Sequence, residues 1–200
     1  MSILFWQQLM KLLYKLFFKL FYPLFKTLGR IYPLPLMTRR AAIEILDVIK
    51  EGDVLVSREG MRPTNVIVPG FWTHAAIYVG NREVSEATDI GCHLLDIDQF
   101  LYTKDHVAVL RPIFSTDYQK LNSCSVARSL TGRIYDYKFK FGNEAFYCAE
   151  LVYHSISESM PNCPFTLRET LGELTVKPQD FFDAKDKFEL IYLFDGKAKE

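Results

Sequence analysis

The chain has 200 residues, enough for one domain with a real hydrophobic core and too few for two comfortable ones. Its 24 Lys and Arg residues balance 24 Asp and Glu, so the formal net charge is zero and no basic field recommends a nucleic-acid partner. Cys92, Cys124, Cys148 and Cys163 form no CxxC pair and no zinc-type Cys/His spacing, which argues against a structural metal site, and no cofactor motif is present.

The first predicted element differs in composition from everything after it. Residues 1–38 are rich in Leu, Phe, Tyr and Lys, and at about 100° of turn per residue Lys11, Lys15, Lys19, Lys26 and Arg30 fall on one arc of about 100°. Trp6, Leu9, Leu12, Leu13, Leu16, Phe17, Phe18, Leu20 and Phe21 cover the rest of the surface. Lysines recur too often to leave a run of about 20 uncharged residues, so the segment is expected to lie in a membrane interface rather than cross it. Pro23 divides it into two shorter helical pieces. A packed helical hairpin, an oligomerisation helix and a targeting peptide are the alternatives. A secretory signal is disfavoured, because the positive residues stand inside the apolar stretch and no small-x-small site follows. The expected protein is peripheral to a membrane, on an unspecified side.

From residue 39 to 200 the sequence reads as one globular domain. Arg39 to Ile49 has the spacing of a short amphipathic helix, and residues 51–57, EGDVLVS, a turn entering a buried strand. A loop with Pro63, Pro69 and Gly70 leads to WTHAAIYVG, residues 72–80, and Gly80, Asn81 and Arg82 join it to a strand over Glu83 to Ala87. A strand over His106 to Arg111, a helix over 116–131, a helix over Tyr147 to Ser159 with Leu151, Val152 and Ile156 inward, and a strand over 188–194 complete the pattern. Strands and helices mix without strict alternation, which predicts an α+β fold with an antiparallel sheet packed by helices. Nucleotide-binding, zinc-peptidase and serine-hydrolase motifs are absent.

Cys148 falls at the start of the predicted helix, where unpaired amides and the helix dipole favour a thiolate. A thiolate needs a neighbouring imidazole to manage its proton, and His74 opens a core strand. That imidazole needs an orienting acceptor, and Glu86 lies across the hairpin on the next strand. Each residue alone has a structural reading: a buried filler, a strand-end hydrogen bonder, a surface carboxylate. Together they form a His, Glu, Cys order along the chain. Asp96 and Asp98 are the alternatives to Glu86. Asp53 is expected to fix a turn, Glu150 either to stabilise the helix start or to serve the site, and His93, His106 and His154 have no motif context.

GDVLV, WTHAAIYVGNREVSEA, GRIYDYKF and FYCAELVY, in that order, resemble the papain-like NlpC-type cysteine hydrolases. The resemblance covers roughly residues 50–160 and is to the circularly permuted branch, which includes the YiiX-like proteins and the lecithin retinol acyltransferase relatives. It implies a permuted papain-like fold, catalytic roles for His74, Glu86 and Cys148, and a carbonyl-polarising role for Tyr135. It also implies attack on an amide, ester or thioester through a Cys148 acyl-enzyme, followed by hydrolysis or acyl transfer. With the membrane-facing segment, the expected substrate is a lipid or lipid-linked molecule. Peptidoglycan-type peptide amides and an inert, membrane-recruited binding module are the competing readings.

Overall fold

The computed structural model describes residues 35–60, 68, 70–113, 116–137, 139–142, 144–159, 167–170 and 173–196. The expected interfacial segment lies outside them, apart from residues 35–38. Among the described residues no helix is long and apolar enough to cross a membrane.

Helix α1, Arg39–Val48, begins where Thr38 accepts a hydrogen bond from the Ala41 amide at 3.1 Å. Strand β1, Val54–Arg58, follows the turn that Asp53 closes by accepting from the Lys50 amide at 2.8 Å. Strands β2, His74–Gly80, and β3, Glu83–Thr88, form the expected hairpin. Asn81 and Arg82 adopt φ of 54° and 61°, the paired positive values of a twist-matched two-residue turn.

The next two elements were not anticipated from the sequence. Strand β4, Gly91–Asp96, continues the meander, and the short helix α2, Ile97–Leu101, follows it. Then come β5, His106–Pro112, and α3, Asp117–Ser129, the latter started by a Thr116/Gln119 capping box. Two-residue strands β6, Ile134–Tyr135, and β7, Ala145–Phe146, pair in parallel just before α4, Cys148–Ser159. The chain ends with β8, Arg168–Thr170, β9, Glu173–Thr175, α5, Pro178–Asp183, and β10, Phe188–Phe194.

Six strands form an antiparallel sheet in the order β10-β5-β1-β2-β3-β4. Alternation along β1 and β2 divides the core between the two faces. Val54, Val56, Ala75 and Ile77 pack with residues of α3, α4 and α5, whereas Leu55 and Ala76 pack with residues of α1 and α2. The fold is therefore α+β with helices on both faces of one antiparallel sheet, as the sequence pattern implies. β1 is central and fully buried on both sides, which explains its unbroken apolar run.

One buried ion pair ties the sheet to its first turn. Arg111 donates to both carboxylate oxygens of Asp53, at 2.9 and 2.7 Å, and to the Val48 carbonyl at 2.9 Å. Asp53 is 1% exposed. Arg111→Ala leaves that carboxylate without its cation and is expected to cost about 3–5 kcal/mol, read as a lower urea midpoint at unchanged slope. A loss below about 1 kcal/mol, the range of a surface pair, would contradict the assignment.

Candidate active site

Helix α4 carries its apolar residues Leu151, Val152 and Ile156 into the core and so fixes its first residue, Cys148, against the sheet. Glu150, the third helical residue, is fully buried and turns back toward the helix start. Its carboxylate accepts from the Tyr147 amide at 3.4 Å, the return half of a capping box, and from the Gly142 amide at 2.7 Å. Burial pushes its pKa up to about 7 against the pull of these two amides. Glu150 thus stabilises the helix start and also pins the preceding loop to it.

His74 begins β2 on the same side as Ala76, and Glu86 pairs directly with Ala76 across the hairpin. The two polar side chains are therefore diagonal neighbours on one face. His74 Nε2 lies 2.7 Å from Glu86 Oε2. The Cys148 thiol is the other group that acts on the same ring. With Nε2 committed to Glu86, Nδ1 is the nitrogen left for the sulfur. Helix α4 packs on one face of the sheet while the His74 ring lies tilted at 6.1 Å from Phe100 of the other, so the two meet where β2 begins.

The charges support one another. Burial alone would disfavour an imidazolium, but the hydrogen bonds to Cys148 and Glu86 outweigh it and push the His74 pKa up to about 9. Burial would likewise raise the Cys148 thiol. The hydrogen bond and charge of His74, with backbone hydrogen bonds from Ala75 and Ala149, bring it below its ordinary value instead. Burial raises the Glu86 carboxyl, and the rings of His74 and His93 together hold it well below the usual carboxylate range. These shifts all run in the direction that favours a thiolate–imidazolium pair backed by a carboxylate.

The structure places the other candidates as follows. Tyr135 pairs with Phe146, two residues before Cys148, and its ring meets Tyr137 at 5.0 Å and Phe139 at 6.4 Å. Asp96 accepts from the Asp98 amide to start α2, and Asp98 is engaged by Arg82 at 2.6 Å, so neither replaces Glu86. His106 packs on Phe71 and His154 on Phe146. His93, which lacked a motif, stands directly opposite Glu86 in the β3–β4 register and reaches its second oxygen at 3.2 Å. The signal that could have found it is the return distance across the turn at 88–91, readable only once β4 is recognised.

A cysteine at a helix start, a histidine opening a following sheet strand in space but preceding it in sequence, and an acidic partner define a papain-like centre in permuted order. A family model described as "permuted papain-like amidase enzyme, YaeF/YiiX, C92 family" matches residues 48–192, and the chain belongs to that family. The crystal structure of the metalloprotein yiiX from Escherichia coli O157:H7 is similar in fold, with a TM-score of 0.59 and 16% identity over 72% of this chain and 96% of that one. A search of the curated proteins found no match. In this chain no group of three or more His, Cys, Asp or Glu is disposed to hold a metal ion among the described residues. In the cluster of Glu86, His74 and His93 each carboxylate oxygen already faces an imidazole nitrogen.

Proposed function

We propose that this permuted papain-like protein is a cysteine amidase or esterase that works through an acyl-enzyme on Cys148. Its substrate in this reading is a lipid or lipid-linked molecule met at a membrane surface. The observation that carries the chemistry is the His74 ring bonded to Glu86 at 2.7 Å while it shares its charge and proton with the Cys148 thiol. The Cys148 thiolate attacks the carbonyl carbon, and the amides and dipole at the start of α4 lie beside the developing negative charge. His74 gives its Nδ1 proton to the leaving nitrogen or oxygen, and the acyl group remains on sulfur. His74, now neutral, takes a proton from water or another acceptor as that nucleophile attacks the thioester. Tyr135, near the segment entering α4, is assigned to polarising the substrate carbonyl.

The family description favours an amide as the scissile bond. The basic and aromatic N-terminal segment favours a substrate presented at high local concentration on a bilayer. Acyl transfer remains within the same chemistry, with an acceptor other than water. The direct experiment is to trap the acyl group on Cys148 with lipid and peptide-amide candidates and weigh the adduct. An acyl mass from a lipid donor supports the reading, and a peptide acyl mass replaces it with the peptidase alternative. A Cys148 that alkylates no faster than a simple thiol removes the enzyme reading in favour of an inert module.

Glu86→Gln is expected to lower kcat/KM by about 10² to 10⁴-fold, less than loss of either His74 or Cys148. A glutamine offers one carbonyl oxygen where Glu86 serves two rings, so one contact turns repulsive or is lost. Rates within a factor of two of wild type would remove Glu86 from the site.

The membrane part has its own measurement. Full-length protein is expected to co-sediment with anionic vesicles, and less with neutral ones. Lys11→Glu, Lys15→Glu and Lys19→Glu together should weaken that binding, as should raised salt. Met37 is buried and Thr38 caps α1, so deletion of residues 1–34 should release a folded domain still reactive at Cys148. A truncated chain that aggregates instead would make the segment part of the core.

A further inference from the structure

Glu86 is used on both sides, and only one of those sides belongs to the His74–Cys148 pair. Its Oε2 faces His74 at 2.7 Å and its Oε1 faces His93 Nε2 at 3.2 Å. The other nitrogen of His93, Nδ1, lies 3.0 Å from the Gly91 carbonyl oxygen. A backbone carbonyl and an ionised carboxylate only accept, so an Nδ1–H bonded to Gly91 leaves Nε2 either protonated and attracted to Glu86 or bare, with its lone pair against a carboxylate oxygen at 3.2 Å, and the first is favoured. A neutral imidazole has one N–H and satisfies one of them.

The local sequence builds this bridge. Gly91 turns the chain into β4 at φ +99°, and a Cβ there would meet the Arg133 carbonyl at 2.5 Å, so the close turn requires glycine. That turn places Gly91 opposite Thr88 and sets His93 directly opposite Glu86. The charged groups facing His93 are Glu86 from β3 and, beyond it, His74 from β2. Helix α2 adds Asp98, which Arg82 already engages, and β6 adds Ile134 and Tyr135. Lys104 acts on Glu86 from the end of α2 while bonded to Glu59.

We propose that His93 is a positioning residue, doubly protonated in the working enzyme, that clamps Glu86 Oε1 so that Oε2 stays on His74. This rests on the catalytic reading of Cys148, His74 and Glu86. Without the clamp the Glu86 carboxylate is free to rotate away from His74, the imidazolium loses its counter-charge, and the thiolate loses the imidazolium. The nucleophile therefore senses the protonation of a ring it does not touch.

The test is the pH dependence of Cys148 alkylation by iodoacetamide in the full-length chain. Fast alkylation of wild type at neutral pH upholds the catalytic reading, and slow alkylation sinks that reading and this inference with it. Given a fast wild type, His93→Leu is expected to raise the midpoint of the acid limb by roughly one pH unit. That is roughly tenfold slower alkylation on the limb, the size of one charge-assisted hydrogen bond. His93→Gln keeps an N–H toward Glu86 without a charge and should recover most of the shift. A His93→Leu midpoint that stays or falls, or a Gln variant as displaced as the Leu variant, overturns the clamp and leaves the catalytic reading intact. Should either variant unfold, the ring nitrogen shifts of wild-type His93 decide: both nitrogens protonated at pH 7 is the expected result, and a neutral ring overturns it.

Discussion

Cys148→Ala is expected to eliminate turnover, a loss on the order of 10⁶-fold in kcat, while the folded domain persists. The size follows from the chemistry, since the substitution removes the atom on which the acyl-enzyme forms. Persistence of the fold follows from packing. The substitution deletes one buried sulfur, and the cavity it leaves should cost about 1 kcal/mol or less. His74 keeps its bond to Glu86, so no buried charge is stranded. Turnover and a urea melt measured on the same preparation check both halves. More than about 1% of wild-type turnover would remove Cys148 as nucleophile, because residual catalysis by the remaining groups is far smaller.

His74→Ala is expected to have the next largest effect, and it also fixes the shape of the pH profile. The reactive form has Cys148 ionised and His74 protonated. On the acid side activity falls as the thiolate protonates, at a pH below the ordinary thiol value of 9.0 because His74 holds that pKa down. On the alkaline side activity falls near pH 9, where His74 gives up the proton that the leaving group needs. Wild type should therefore show an alkaline limb near 9 and an acid limb below the ordinary thiol range. In His74→Ala the imidazolium is gone and burial acts on the thiol alone, so the acid limb of Cys148 alkylation should move above 9. At pH 7 that is about a hundredfold slower alkylation or more. An alkylation profile that does not move would exclude His74 as the thiol's partner.

Much of this was legible along the chain because it depends on local pattern. Continuous apolar runs announce β2 and β5, the Gly80–Arg82 turn announces the first hairpin and with it β3, and the 3.6-residue spacing of Leu151, Val152 and Ile156 announces α4. These signals suffice to place His74 and Glu86 on adjoining strands and Cys148 at a helix start, since turn geometry sets hairpin register and helix phase sets which end is exposed. Helix α5 escaped because it is a single short turn-and-a-half. Its start depends on Pro178 and on Asp180 accepting from the Lys177 amide at 2.9 Å, rather than on an apolar stripe.

The sequence by itself pointed to cysteine-hydrolase chemistry and to three of the candidate residues. It is also the whole basis for the interfacial reading of residues 1–38, which rests on composition and periodicity. Tertiary structure alone decided that the Cys148 sulfur reaches His74 from a helix packed on the opposite face of the sheet, because long-range packing leaves no mark on neighbouring residues. It alone set His93 against Glu86. One residue more or fewer in the turn at 88–91 would have set Cys92 or Leu94 opposite Glu86. With strand side chains alternating from face to face, a turn of the right length is what separates a second imidazole on the carboxylate from an ordinary strand residue facing elsewhere.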